Sequence, residues 1–381
     1  MARNATRPKF TPKPLDLSEP VVWVLKRAFG PPDRDVSSSD PEAALEAADL
    51  LGYLPRIGQR TPRARLESEL GEASALVLEA THRAAAGAAA LNATSRFVCD
   101  VAREQGLPAV LLKFSALAAL GVVRPGSRVA SDVDVLAARH HGVALVAALI
   151  GAGASRTPEP TFEHELAALR SPLDINIDVH RHVPGLRLAP RDGFVTADEL
   201  IAAGLVDPKT SAPATEVLAA HALTHGFVQN AAIPQSGATT RALCDLVDLE
   251  HVAPGSVERS FSFVAPLFDE HDTHEMARLC RALERGEIEC GYDGPGVSVL
   301  SHVLGAALDE AYAASLRRFL FSAPLSERPW PGPWLGRVAH LLIPTAAELS
   351  RIYGEPRGKL HLLRLRLWRP IDLARRTLRL F

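Results

Sequence analysis

Residues 111–136 read LLKFSALAALGVVRPGSRVASDVDVL. The run Ala109–Lys113 follows Gly106 and Pro108 and is short and apolar, which predicts a buried strand. Ser115–Gly121 predicts a short helix, and Val122–Ala130, with Pro125 and Gly126, predicts a loop. Ser131–Leu136 predicts a second strand, and a helix over about Gly142–Gly151 completes a β-α-β-α unit.

Downstream, Thr161–His182 breaks at Arg170-Ser-Pro172 with extended segments on either side, which predicts a hairpin. In its second arm Leu173, Ile175, Ile177 and Val179 alternate with Asp174, Asn176, Asp178 and His180. A strand places such sets on opposite faces, so one face carries carboxylates.

Asp132 and Asp134 are two apart on the other predicted strand, and their side chains leave the same face. Like charges that close repel unless a cation lies between them, and carboxylates are hard ligands suited to Mg²⁺ or Mn²⁺. Asp178 is the natural third ligand if the two strands are neighbours, and three carboxylates can serve phosphoryl transfer. Asp174 ranks below it, because a hairpin turn alone explains an Asp there. Lys113 and Ser115 stand where a strand meets a helix start, a place that favours phosphate. Gly126-Ser-Arg128 adds a flexible turn and a guanidinium suited to phosphate oxygens. Ser127 and Ser131 join Lys113, Ser115 and Arg128 as candidate nucleotide and phosphate contacts. His180 and Asn176, on the face of Asp178, are candidates for orienting a carboxylate or meeting substrate; a His that merely ends a strand is the alternative. His221 and His225 have i, i+4 spacing but lack the glutamate of a zinc protease motif, so they read as lining a helix interface or a cleft. Arg241, Cys244, Asp245 and Asp248 form a helical stripe that reads as packing and buried ion pairs.

The chain has 381 residues, 47% hydrophobic and 23% charged, enough for a full core and more than one lobe. Its net charge of −2 supplies no general drive toward nucleic acid or an anionic membrane. Four cysteines without a CxxC pair fit reduced thiols in a cytoplasmic protein. Met1–Pro14 is basic but has no apolar segment behind it, so it reads as a disordered tail rather than a secretory signal. Residues 15–105 predict a helical region, its last helix running from about Glu79 to Gln105. Residues 106–195 predict an α/β core and 196–381 a second helical region, with candidate helices near 212–229, 238–251, 270–287, 296–321 and 334–353. Pro-rich connectors punctuate the end, at 327–333 and near Pro356. The expected class is α+β, a small mixed sheet embedded in a larger, mostly helical body. The basic and apolar stretch 357–381 could lie on an anionic membrane, but packing on the helical body is the simpler reading.

The order of these features resembles the uncharacterised nucleotidyltransferases of the polymerase-β superfamily. Their pattern is LLKG-x-x-L, then G-x-R-x-x-x-D-[IV]-D, then L-D-x-H; here the matching stretches are 111–136 and LDINIDVHRHV at 173–183. The His221/His225 helix with Arg241 and Asp245 beyond it, and LLIPTAAELSRIYG near the C-terminus, resemble the family too, so the likeness spans roughly 15–375. It implies that Asp132 and Asp134 are metal ligands and that Asp178 is the third carboxylate, which can activate the attacking hydroxyl. It implies triphosphate contacts for Lys113, Ser115 and Arg128, with an NTP as co-substrate and Mg²⁺ or Mn²⁺ as cofactor. The implied reaction moves an NMP group to a hydroxyl or phosphate of a small molecule or peptide, since no basic surface suggests nucleic acid. One departure is Phe114, where the family has Gly; a bulky side chain there obstructs close backbone approach to phosphate. That keeps open a nucleotide-binding or regulatory module with weakened turnover, and an accessory, antitoxin-like interaction protein remains a third reading.

Overall fold

The computed structural model describes residues 17–308 apart from 35, 158–164, 184, 185, 187, 189–194, 230–236, 265–267 and 269, together with 364 and 368. Five helices precede the sheet: α1 (Glu19–Phe29), α2 (Pro41–Leu50), α3 (Leu54–Arg60), α4 (Arg63–Leu70) and α5 (Ser74–Glu104). The start of α2 is set by sequence, since the Asp40 carboxylate accepts the Ala43 N–H at 3.0 Å and Pro41 takes the first helical position. Helix α5 begins five residues before the predicted Glu79. It buries Val77, Ala84, Ala88, Leu91, Ser95, Val98 and Ala102, a stripe at helical spacing that faces the core.

The sheet is built from β1 (Ala109–Leu111), β2 (Asp132–Ala137), β3 (Ser155–Arg156), β4 (Glu165–Arg170) and β5 (Asn176–His180), in the order β1-β2-β5-β4-β3. Helix α6 (Lys113–Ala119) joins β1 to β2, and α7 (Gly142–Gly151) follows β2 over the predicted residues. The β2–β5 pair is parallel and the other three are antiparallel, so the sheet is mixed. The predicted hairpin is β4–β5, but its second arm is shorter than the alternation suggested. Leu173 is 53% exposed and Asp174 has φ +60°, so both belong to the turn. The Ser171 hydroxyl holds that turn by accepting the Ile175 N–H at 3.1 Å.

Beyond the sheet come α8 (Ala197–Ala202), α9 (Thr215–Thr224), α10 (Ala238–Val252), α11 (Ser256–Arg259), α12 (Phe261–Val264), α13 (Glu270–Glu284) and α14 (Val297–Leu308). Between α8 and α9 lies a two-stranded hairpin, β6 (Val206–Asp207) with β7 (Ala212–Pro213), in a stretch read as helical from Ala197 onward. Its signal was the Asp207-Pro-Lys-Thr turn, in which Asp207 accepts bonds from the Lys209 N–H and the Thr210 hydroxyl. The candidate helix at 334–353, the part of 296–321 past 308, the connectors and the basic stretch 357–381 lie outside the described residues, save 364 and 368. Among the described residues no helix is long and apolar enough to cross a membrane.

The two faces of β2 enter two different cores. Val133, Val135 and Ala137 join a large core with α1 to α3, α5, α7, α10 and α13, whereas Leu136 and Ala138 join a smaller one with Val110, Leu112, Leu200, Val217 and Ala220. Asp132 and Asp134 share the face of Leu136 and Ala138. That face is therefore polar where the strand starts and apolar farther along, where it packs with α8 and α9 residues, and the carboxylates stand at the polar end. The class is α+β, as the sequence implied.

Candidate active site

The parallel register sets Asp132 opposite Asn176 and Asp134 opposite Asp178. Residues directly opposite on one face are close neighbours, and the three carboxylates each offer an oxygen within 4.8 Å of the others. The convergence is a consequence of backbone pairing rather than of side-chain reach. Asp174 lies in the exposed hairpin turn, 3.5 Å from Arg170, away from this cluster.

Asp134 is the most constrained of the three. Lys113 Nζ lies 2.5 Å and His180 Nε2 lies 2.8 Å from its Oδ1. Burial tends to raise its pKa, but Lys113 and His180 outweigh that and hold the carboxyl well below the usual range. Asp178 faces the opposite balance. Burial, then the charges of Asp134, Asp132 and Glu165, push it up to about 7. Such a cluster is costly unless a cation shares it. His180 thus hydrogen-bonds a carboxylate, the contact that an orienting role would need. Asn176 sits at the start of β5 with its Oδ1 buried and without a hydrogen-bond partner, and Ser131 reaches Asp132 Oδ1 at 3.2 Å.

A cleft of about 290 Å³ opens beside the pair. Its walls include Lys113, Phe114, Arg128, Ser131, Asp132 and Asp134 from the sheet side, and His221, His225 and Arg241 from α9 and α10. Asp132 and Asp134 stand in its walls, with Asp178 beside Asp134 on the same face of the sheet. Lys113 begins α6 with φ +47°, a left-handed conformation that few non-glycine residues adopt and that directs its amine to Asp134.

Three expectations meet a different arrangement. Ser115 is buried, 3% exposed, with its hydroxyl unpaired and outside the cleft walls, and Ser127 is buried in the 124–127 turn, also outside them. Both are buried and neither is among the residues that form the cleft walls. Gly126 is not a flexible element. Its φ is +85° and an added Cβ would lie 2.8 Å from Ala85 Cα, so it is a close contact between the loop and α5. Phe114 does not block the cleft either. Its ring is 3% exposed and carries the Arg128 guanidinium 4.9 Å above its centroid.

Arg128 is further tied to Asp245 at 3.0 Å, while Asp248 makes a two-bond ion pair with Arg56 at 2.6 and 2.8 Å and Cys244 is in the core. Three members of the helical stripe thus pack and pair as read. Arg241 does not: it opens onto the cleft, and its position in the first turn of α10, one turn before Asp245, was the available signal. His221 and His225, with ring centroids 5.8 Å apart, line the same cleft, and among the described residues they do not belong to a three-ligand metal cluster. Burial, then Lys113 and His221, hold the His225 imidazole well below its usual pKa.

A family model described as "Uncharacterised nucleotidyltransferase" matches residues 37–255, more than half of the chain. The matched span is shorter than the 15–375 of the sequence resemblance. It takes in the triad, the His221/His225 helix and α10, and leaves out LLIPTAAELSRIYG, which also lies outside the described residues. No curated protein and no solved structure matches the chain.

Proposed function

The chain belongs to that uncharacterised nucleotidyltransferase family, and from this premise we propose that it transfers an NMP group from an NTP to a hydroxyl or phosphate of a small-molecule or peptide acceptor. The observation that carries the reading is the carboxylate cluster of Asp132, Asp134 and Asp178, set by β2–β5 register at the mouth of a cleft. The three residues fit a divalent metal: they are hard oxygen donors, mutually repelling when ionised, on one face of the β2–β5 pair. Mg²⁺ or Mn²⁺ held there would neutralise charge on the phosphates that react.

The protein's own contribution is position and charge. Lys113 and His180 keep Asp134 ionised and fixed in orientation. Asp178, half-buried beside Asp134, is the carboxylate placed to accept the proton of an acceptor hydroxyl. The cleft holds the donor. Phe114 forms a platform for Arg128, so the aromatic residue at this position helps to build the cleft wall.

The test is incubation with each α-labelled NTP, Mg²⁺ or Mn²⁺, and fractionated small molecules and peptides, followed by pyrophosphate release and label transfer. Transfer that requires metal, and that Asp132→Asn and Asp134→Asn reduce by roughly a thousandfold or more, is the expected result. Nucleotide binding without pyrophosphate release from any of the four NTPs would replace this proposal with a regulatory module.

A further inference from the structure

Three cations line the cleft, and two of them already face carboxylates: Lys113 faces Asp134 at 2.5 Å and Arg128 faces Asp245 at 3.0 Å. The third, Arg241, makes no ion pair or hydrogen bond through its side chain among the described residues. It opens onto the cleft, where partial burial and then the charge of Arg128 outweigh the attraction of Asp132 and Asp245 and disfavour its own charge. An unpaired guanidinium next to another cation, in a concave site, is stabilised by an anion entering between them. Arg241 also stands in the first turn of α10, a fifteen-residue helix whose amino end contributes Ala238 to the same wall. The helix dipole adds positive potential at that place.

We propose that Arg241 binds the terminal phosphates of the donor triphosphate, making it the cleft's dedicated polyphosphate contact. This rests on the nucleotidyltransferase reading above. Two features of the layout favour the donor's tail over an anionic acceptor. The cleft that holds Arg241 also has Asp132 and Asp134 in its walls, so a triphosphate whose metal those two carboxylates held would lie in the same space as Arg241. The other two residues of the resemblance's set besides Lys113 are otherwise engaged, Ser115 inside protein and Arg128 on Asp245 and Phe114. A triphosphate that reached from the carboxylates toward α10 would place its most highly charged end at the cleft cation that, among the described residues, has no ion pair.

The test is equilibrium titration, with Mn²⁺, of the four NTP analogues that cannot be cleaved between the α and β phosphates, and of the four monophosphates. Arg241→Ala should weaken triphosphate binding by roughly 10- to 100-fold, the loss expected of a charge-assisted contact. It should change monophosphate binding by less than about threefold, and Arg241→Lys should fall between. Equal losses for both ligand classes would mark a structural role and overturn the assignment. Wild-type triphosphate affinity in Arg241→Ala would overturn it too and leave Arg241 to an anionic acceptor, with the nucleotidyltransferase reading intact. If wild type bound none of the four analogues, both readings would fall together.

Discussion

Helix α10 carries two aspartate–arginine pairs less than a turn apart, each with a phenylalanine under the guanidinium. In one, Asp248 meets Arg56 through two bonds, the Arg56 Nε–H donates to the Ala28 carbonyl at 2.7 Å, and Arg56 lies 4.8 Å from the Phe29 centroid. In the other, Asp245 meets Arg128 through one bond, and Asp245 Oδ1 and Arg128 Nε, both buried, have no partner. The parts are the same, yet only the first is closed. Buried polar groups are normally satisfied, so spare capacity on a cleft wall marks a pair held for something other than stability. The closed pair locks α3 to α10; the open one sets the position of a cation at the site.

The largest expected effect follows from the closed pair. Asp248→Ala leaves the buried Arg56 charge, 4% exposed, without its carboxylate, and should cost roughly 3–5 kcal/mol, read as a fall in the denaturation midpoint. A loss below about 1 kcal/mol would show that the two pairs do not differ in kind.

The two aromatic platforms sharpen the contrast. Phe29→Leu and Phe114→Leu each remove a ring face beneath a guanidinium and should each cost roughly 1–2 kcal/mol. Only Phe114→Leu should also weaken binding of an uncleavable NTP analogue, by several-fold, because Arg128 belongs to the cleft and Arg56 does not. Equal effects on binding from both substitutions would dissolve the distinction.

How much of this was legible depends on what a local pattern can encode. Strands β2 and β5 and their carboxylate face were readable, because period-two alternation at 132–136 and 175–180 states which side chains share a face. Between Asp178 and Asp174 the pattern offered only a ranking, since a turn explains an Asp at 174 while the alternation puts both on one face; the grouping of Asp178 with the pair is seen in the fold. Chain pairing was not encoded locally: that β5 lies parallel to β2, which brings Asp134 beside Asp178, depends on how α7 and the hairpin pack. The fates of Ser115 and Arg241 were hidden for a related reason. A helix pattern tells which residues lie on one stripe, but not which end of that stripe meets a neighbour and which meets an open cleft. Phe114 read as an obstruction because its partner, Arg128, is fourteen residues away and meets it only in the folded protein.

The smallest expected effect is the most discriminating. Burial outweighs the attraction of Arg128 and raises the Asp245 carboxyl to about 6, above the ordinary 3.8. The folded protein therefore holds that proton more tightly than the unfolded chain does. Stability contributed by this group is full below about pH 4 and is lost as pH rises toward 6. Asp245→Asn removes the ionisation. It should change stability at pH 7 by about 1 kcal/mol or less, since Arg128 keeps its ring contact and its access to the cleft. It should also abolish that fall between pH 4 and 6, measured as the wild-type-minus-variant difference in unfolding free energy across the window. A difference curve that is flat there, together with a loss at pH 7 comparable to that of Asp248→Ala, would mean that the Asp245 pair is a closed structural pair after all and that the spare donor and acceptor at the cleft wall carry no functional meaning.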